Sequence, residues 1–252
     1  MPEAHQLLND TVRISYTVEG QGDPILLHHG FTSSAAAWRE FGYNDDLVRG
    51  YTVINLDARG HGQSDKPHDP GAYTMDLCCE DVRLVCEAAG VERIHFWGYS
   101  MGGRTAYGFW QRYPEMVRSL IVGGASPFVS PDQAESYRRW AAALSRGDVA
   151  EFAALIGARE KYVRQVVEAN DAQALAASQL GLLGWPGLDP ATITVPALFY
   201  GGSEDPLLPG VERAATAAPN ARLEILEGLN HLSAFGQSDR VLPIVREFLA
   251  GV

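Results

Sequence analysis

Short apolar runs alternate with helix-like segments along the first half of this chain, and the alternation limits which folds the chain can adopt. The apolar runs cover residues 24–28, 51–56, 93–97 and 120–122, and the segments between them carry apolar residues at helical spacing. Parallel strands need crossover connections of this length, and helices in the crossovers cover both faces of a sheet. We therefore predict an α/β protein with a mostly parallel sheet flanked by helices.

This alternation stops in the middle of the chain, where no strand pattern is found from residue 128 to residue 188. Four amphipathic helix patterns fill the gap, at 131–146, 149–157, 161–170 and 172–183. Strand patterns resume at 194–200 and 223–226, and a helix pattern at 241–249 closes the chain. We predict a core made of residues 1–127 and 189–252, with residues 128–188 inserted as a helical cap.

The charge balance narrows the range of partners. The 252 residues are 46% hydrophobic, and their formal net charge of −11 is not concentrated in any acidic block. An anionic surface of this kind argues against binding to nucleic acid or to an anionic membrane. The first residues show neither a basic region nor an apolar one, and no apolar run approaches the ~20 residues of a membrane span. We expect a cytoplasmic protein with no signal peptide.

The three cysteines support that expectation. Cys78, Cys79 and Cys86 all fall in one predicted helix, which begins after an N-cap at Thr74 and ends at Gly90. Cys78 and Cys86 would lie about 12 Å apart along its axis, too far apart for a disulfide. We expect free thiols in a reducing compartment.

A serine lies at a sharp turn between one predicted strand and the helix that follows it. The turn reads Gly98-Tyr99-Ser100-Met101-Gly102, with glycine two residues before and two residues after the serine. Such a turn strains the backbone of the serine and leaves no room for a Cβ at the flanking positions. With 26 glycines in the chain, the motif would arise by chance in roughly one such sequence in seven, so its context must support it.

A serine nucleophile requires a base, and the base requires an acid that orients it. Of the seven histidines, His231 is the best base, because it follows the predicted strand 223–226 through a short loop. The acid should also follow a strand, and Asp205, before Pro206, is our choice; spacing alone leaves Glu204 open as a rival. The carboxyl ends of parallel strands meet at one edge of a sheet, which would bring these groups together.

Two backbone N–H groups are needed to stabilise an oxyanion. One should belong to Met101, directly after the serine, and the other to Phe31, because Gly30 lets that loop approach closely. Ser33 or Ser34 is predicted to cap the following helix. We interpret the loop 57–64 as structural, with Asp57 and Arg59 holding it by hydrogen bonds.

The substrate pocket is expected between the cap and the sheet. Its candidate lining residues are Phe128, Trp140, Leu207 and Leu232. No phosphate-binding loop, dinucleotide fingerprint or metal-ligand spacing is found, so we predict no metal and no cofactor.

Taken together, these motifs resemble the α/β-hydrolase superfamily over essentially the whole chain. The matching pieces are 28–31, 57–64, 98–103, 201–206 and 230–231, and the chain order Ser100, Asp205, His231 is that of the superfamily. The resemblance implies an eight-stranded sheet, a cap between strands six and seven, and serine hydrolysis without a cofactor. The residues around Asp205 and His231 are similar to those of enol-lactone hydrolases, whereas carbon–carbon-bond hydrolases usually carry a tryptophan where Leu232 stands.

The predicted activity is hydrolysis of a small carboxylic ester through an acyl-enzyme. A lactonase, an enol-lactone hydrolase or a carbon–carbon-bond hydrolase is the alternative within chemistry, since one fold hosts many activities. The alternative that is not an enzyme is a ligand receptor with residual hydrolase activity. The partner in each case is a small molecule, and the sequence leaves the natural substrate and the oligomeric state open.

Overall fold

The computed structural model describes residues 2–252, and its centre is a single eight-stranded sheet. The strands are β1 (Ala4–Asn9), β2 (Val12–Glu19), β3 (Asp23–His28), β4 (Tyr51–Leu56), β5 (Ile94–Tyr99), β6 (Val117–Gly123), β7 (Ala197–Gly202) and β8 (Ala221–Leu226). They lie side by side in the order β1-β2-β4-β3-β5-β6-β7-β8. The pairs β1–β2 and β2–β4 are antiparallel and the remaining pairs are parallel, which confirms the predicted fold class.

The helices occupy the crossovers, the central insertion and the end of the chain. They are α1 (Ala35–Glu40), α2 (Tyr43–Leu47), α3 (Met75–Ala88), α4 (Met101–Arg112), α5 (Pro131–Ser145), α6 (Val149–Ile156), α7 (Glu160–Ala169), α8 (Ala172–Leu182), α9 (Leu208–Ala217), α10 (His231–Gly236) and α11 (Ser238–Leu249). No helix in the described range 2–252 is long and apolar enough to span a bilayer.

Both faces of the sheet are buried, which explains why the central strands are apolar at nearly every position. All six residues of β5 are buried, and consecutive side chains point to opposite faces. Phe96 joins the core cluster that contains residues of α3 and α4, whereas Trp97 joins the cluster on the other face with Trp38 and Tyr43. The two apolar cores hold the carboxyl ends of β3, β5, β6 and β7 at one edge of the sheet.

The insertion folds into the four predicted helices α5–α8, each within one or two residues of its predicted bounds. Three of the four helices begin with a side-chain cap: Ser130, Asp148 and Asp171 accept hydrogen bonds from backbone N–H groups of the first turn, whereas α7 has none. The helices enclose a separate apolar cluster that includes Leu144, Phe152 and Leu175. The division of the chain into core and cap at residues 128 and 188 stays a prediction.

Two local features differ from the sequence analysis. Strand β1 is not predicted there; it is an edge strand with most of its side chains exposed, so it lacks a clear alternation. Neither serine before α1 caps it with its side chain, because the carboxylate of Asp57 accepts a hydrogen bond from the N–H of Ala35 instead, at 2.7 Å. The cap of α3 by Thr74 is confirmed, and all three cysteines of that helix are free thiols.

Candidate active site

Ser100 lies between the end of β5 and the start of α4, in a backbone conformation that few residues adopt. Its φ of 54° and ψ of −112° turn the chain sharply. A Cβ on Gly98 would lie 2.2 Å from the carbonyl oxygen of Gly102, and a Cβ on Gly102 would lie 2.1 Å from that of His28. Both contacts are with backbone, so the two positions accept only glycine. The motif is therefore a requirement of this turn.

A chain of hydrogen bonds links Ser100 to two residues from distant parts of the sequence. The Oγ of Ser100 lies 2.9 Å from Nε2 of His231, and Nδ1 of His231 lies 2.7 Å from Oδ2 of Asp205. A carboxylate only accepts, so Nδ1 carries the proton and Nε2 is left to accept the hydroxyl proton of Ser100. The side chain of Asp205 is fully buried, whereas Glu204 is exposed. Of the two rival acids, the structure brings Asp205 to the imidazole.

The positions of Asp205 and His231 are fixed by their own turns. The second carboxylate oxygen of Asp205 accepts a hydrogen bond from the N–H of Leu207 at 2.8 Å. His231 is the first residue of α10, and the hydroxyl of Tyr99 donates to its carbonyl oxygen at 2.5 Å. The sequence analysis missed Tyr99, whose only signal is its place directly before Ser100. A Cβ on Gly124, which has a φ of 56°, would lie 3.0 Å from the His231 ring.

The loop at Gly30 approaches Ser100 as the sequence predicts. A Cβ on Gly30 would lie 3.4 Å from Cβ of Ser100. Within residues 2–252, no hydrogen bond uses the backbone N–H of Phe31 or of Met101. Two unpaired donors thus flank the serine, and their role as an oxyanion hole stays a prediction.

A buried histidine fixes the orientation of one of these N–H groups. The Nε2 of His29 accepts a hydrogen bond from the N–H of Ala58 at 3.0 Å, so its Nδ1 must donate to the carbonyl of Gly30, at 2.8 Å. Burial lowers the pKa of His29, which keeps this neutral tautomer. Because the Gly30 carbonyl and the Phe31 N–H belong to one peptide plane, the bond from His29 also sets the direction of that N–H.

The next residue of this loop is held from the cap. Thr32 has a φ of 65°, in the left-handed region that is unfavourable for a β-branched residue. Its carbonyl accepts a hydrogen bond from the side-chain amide of Asn170, at the end of α7, at 3.1 Å. The ring of Phe31 packs edge-on against Phe152 of α6 on one side and His61 on the other. The loop 29–32, which carries the predicted oxyanion donor Phe31 and is called the oxyanion loop below, is thus held between core and cap.

The loop 57–64 is held by hydrogen bonds of Asp57 and Arg59, as predicted. Asp57 accepts hydrogen bonds from the N–H groups of Ala35 and Gln63. Arg59 forms a buried, two-pronged ion pair with Asp81 of α3, with N–O distances of 2.6 and 2.7 Å. The loop therefore supports the site without contributing a group to the hydrogen-bond chain.

The four candidate pocket residues differ in exposure. Leu232 and Phe128 are 56% and 37% exposed. Leu207 and Trp140 are half-buried, and Trp140 packs on Tyr137 and Phe152 inside the cap. Their contact with a substrate stays a prediction. In the part of the chain that the structure describes, no cluster of three or more His, Cys, Asp or Glu side chains is arranged to hold a metal.

The sheet order, and the serine, histidine and aspartate at its carboxyl edge, are the arrangement of an α/β hydrolase. The sequence profile of the alpha/beta hydrolase fold family matches residues 23–160, more than half of the chain. The chain belongs to this family.

Three proteins illustrate its range. A 2-hydroxy-6-oxononadienedioate/2-hydroxy-6-oxononatrienedioate hydrolase of Escherichia coli is 36% identical over 137 residues, which cover 51% of this chain and 47% of the relative. A crystal structure of a hydrolase from Pseudomonas aeruginosa superposes with a TM-score of 0.85 at 25% identity, covering 98% of both chains. An enol-lactonase from Burkholderia xenovorans gives a TM-score of 0.85 at 20% identity, over 98% of this chain and 100% of its own, and shows the fold alone.

Proposed function

We propose that this protein hydrolyses small carboxylic esters through an acyl-enzyme formed on Ser100. The hydrogen-bond chain from Ser100 through His231 to Asp205 is the observation that supports it, because its donors and acceptors are ordered for proton removal from the serine. The strained turn favours this role, since it raises the hydroxyl clear of its own backbone at the start of a helix.

The reaction proceeds in two halves. Ser100 Oγ attacks the ester carbonyl while its proton passes to Nε2 of His231, and the negative oxygen of the tetrahedral intermediate accepts hydrogen bonds from the N–H groups of Phe31 and Met101. The intermediate collapses, and the leaving alcohol takes the proton from His231. Water then loses a proton to His231 and attacks the acyl group, and the acid leaves as Ser100 regains its proton.

The alternatives differ in the bond that is cleaved. Lactone hydrolysis uses the same steps with the alcohol retained in the product. Carbon–carbon cleavage has support from the E. coli relative, which is named as a hydrolase of a dienedioate. Leu232, in the position after His231, favours ester and lactone substrates instead. A receptor would bind its ligand with the same groups and release product very slowly.

A matched pair of acid variants with one serine variant tests the proposal. In Ser100→Ala, kcat on a short-chain nitrophenyl ester should fall by roughly a thousandfold or more with the fold unchanged. Asp205→Asn should cost roughly a hundredfold to ten-thousandfold, because the imidazole loses its orienting acceptor, whereas exposed Glu204→Gln should stay within about twofold.

The same assay separates the alternatives. Turnover of lactones or of 2-hydroxy-6-oxo dienoates in preference to esters would move the proposal to those classes. One acyl group bound per protein without further turnover would favour the receptor. An alanine variant at Ser100 with full activity would refute the nucleophile.

A further inference from the structure

Arg104 is a buried cation at the junction of core and cap, and it has no acidic partner. It lies in the first turn of α4 and is only 8% exposed. No carboxylate among residues 2–252 approaches its guanidinium to within ion-pair distance, in a chain with eleven more formal negative charges than positive ones. We propose that Arg104 binds a carboxylate carried by the substrate; this deepens the esterase proposal by naming a substrate class, esters of short dicarboxylic acids.

The hydrogen bonds of Arg104 leave most of its donors unused. Nη2 donates to the carbonyl of Leu182 at 3.1 Å. Nε is buried with no partner in the described chain. Nη1 also makes no hydrogen bond, yet it is not among the fully buried atoms, so it reaches solvent. A guanidinium offers five N–H donors in a planar fork that matches a carboxylate, and here Nε and Nη1 donate to no group of the described chain.

The surroundings of Arg104 favour an anion over further protein contacts. Its guanidinium carbon lies 5.9 Å from the ring centre of Tyr137 in α5 and 5.7 Å from that of Trp185. These rings shield most of the guanidinium from water, and an ion pair is stronger where less water is present. Burial also lowers the pKa of Arg104, so an entering carboxylate would relieve a cost that the free protein carries.

The position of Arg104 on α4 places its unpaired donors, Nε and Nη1, close to Ser100 along the chain. Ser100 is the N-cap of α4 and Arg104 lies one helical turn further, which places them about 6 Å apart along the axis. Helical side chains lean towards the N-terminus, which directs the guanidinium back towards the serine turn. Tyr137 lies within electrostatic range of both Arg104 and Asp205, and its hydroxyl makes no hydrogen bond within residues 2–252. The proposal therefore places the substrate carboxylate two or three bonds beyond the scissile carbonyl.

Two esters of nearly equal shape test the proposal. Monomethyl succinate carries a carboxylate where methyl 4-oxopentanoate carries a methyl ketone. The wild-type protein should have a kcat/KM roughly tenfold to a hundredfold higher for the succinate ester, because charge-assisted hydrogen bonds contribute that much. Arg104→Met should remove this preference and leave the neutral ester within about threefold, and Arg104→Lys should keep part of it. Arg112→Met, an exposed arginine of the same helix paired with Asp76, should change neither.

A binding measurement keeps the two proposals separate. Calorimetry on Ser100→Ala should give tighter binding of monomethyl succinate than of methyl 4-oxopentanoate, and Arg104→Met in that background should abolish the difference. This result would stand even if neither ester were hydrolysed, which would refute the esterase alone. Equal losses on both esters in Arg104→Met, or no preference in the wild type, would show that Arg104 only ties the cap to the core and would overturn the proposal.

Discussion

The serine turn (residues 98–102) and the oxyanion loop (residues 29–32) lie next to each other, but different parts of the molecule hold them in place. Each contains a non-glycine residue in the left-handed region, Ser100 with a φ of 54° and Thr32 with a φ of 65°. The serine turn is wedged among backbone atoms of the sheet and of α4, through Gly98 and Gly102. The oxyanion loop is held on the core side by the buried residues His29 and His61, and on the cap side by Asn170 and Phe152.

Contacts within the core fix the serine turn, whereas the position of the oxyanion loop depends on the cap as well. Close backbone contacts over-determine the serine turn, so no rearrangement of the cap alters its strain. The oxyanion loop receives part of its support from side chains outside the sheet, so its geometry depends on how the cap is seated. A substrate that binds under the cap, as predicted, would therefore affect the step in which negative charge develops, and not affinity alone.

The largest expected effect comes from breaking the serine turn. Gly102→Ala places a Cβ 2.1 Å from the carbonyl oxygen of His28, a backbone atom that cannot move without displacing β3. We expect a loss of about 3 kcal/mol or more in the free energy of unfolding, with esterase activity reduced by at least roughly a hundredfold. Urea unfolding and kcat measure the two effects.

The control for this variant is Gly50→Ala. Gly50 has nothing within 4 Å of its hypothetical Cβ and no left-handed φ, so its substitution should be close to neutral. Equal stability of the two variants would show that the turn tolerates a side chain and that the serine turn is not rigidly fixed by backbone contacts.

The contrast also explains which parts of the fold could be predicted. The strands β3, β5 and β7 are buried on both faces, so their apolar runs identify them from local sequence. The helices of the cap carry both an amphipathic pattern and polar N-caps. Strand β1 has neither signal, and its stability comes from pairing with β2. The cap of α1 is supplied by Asp57 across the sheet edge, which no neighbouring residue reveals.

Within the site, prediction works where one residue acts through its own turn. Ser100 with its glycines is evident from spacing, and Asp205 follows a strand before a proline. The choice between Asp205 and Glu204 needs coordinates, because it depends on which carboxylate points inward. Tyr99, Asn170 and the open guanidinium of Arg104 act through contacts between segments far apart in sequence, and such contacts leave no local pattern.

Acid should lower the stability that the buried histidines beside the oxyanion loop contribute. Burial lowers the pKa of His28 and of His61 from about 6.5 to about 3, so each stays neutral in the folded protein where it would bind a proton when unfolded. Their contribution to stability is complete above pH 6.5 and is lost as the pH falls towards 3. Between pH 7.5 and 5.5 these two together should cost about 3 kcal/mol, at about 1.4 kcal/mol per histidine and pH unit below 6.5. His29 and His95, whose pKa values burial also lowers, add to this loss.

Urea unfolding at the two pH values measures this loss. Most carboxylates stay ionised above pH 5.5, so the window reports mainly on histidines. His61→Gln should reduce the pH-dependent loss by about 1.4 kcal/mol, the share of one histidine, whatever it does to stability at pH 7.5. A variant with the full pH dependence would show that His61 is already protonated or exposed.

The smallest expected effect comes from removing the hydrogen bond by which the cap holds the oxyanion loop. Asn170→Ala removes the hydrogen bond to the Thr32 carbonyl, which should reduce kcat by a factor of roughly 2 to 10 with little change in KM, because one neutral hydrogen bond contributes about 0.5–1.5 kcal/mol. Gln173→Ala is the matched control, since its side-chain amide donates to the carbonyl of Ser145 entirely within the cap. Thr32→Gly in the Asn170→Ala background should restore kcat, because glycine adopts a φ of 65° without strain. If Gln173→Ala slows the reaction equally, or glycine at position 32 fails to rescue it, the cap stabilises the fold without controlling the oxyanion loop, and the serine turn and the oxyanion loop do not differ in their dependence on the cap.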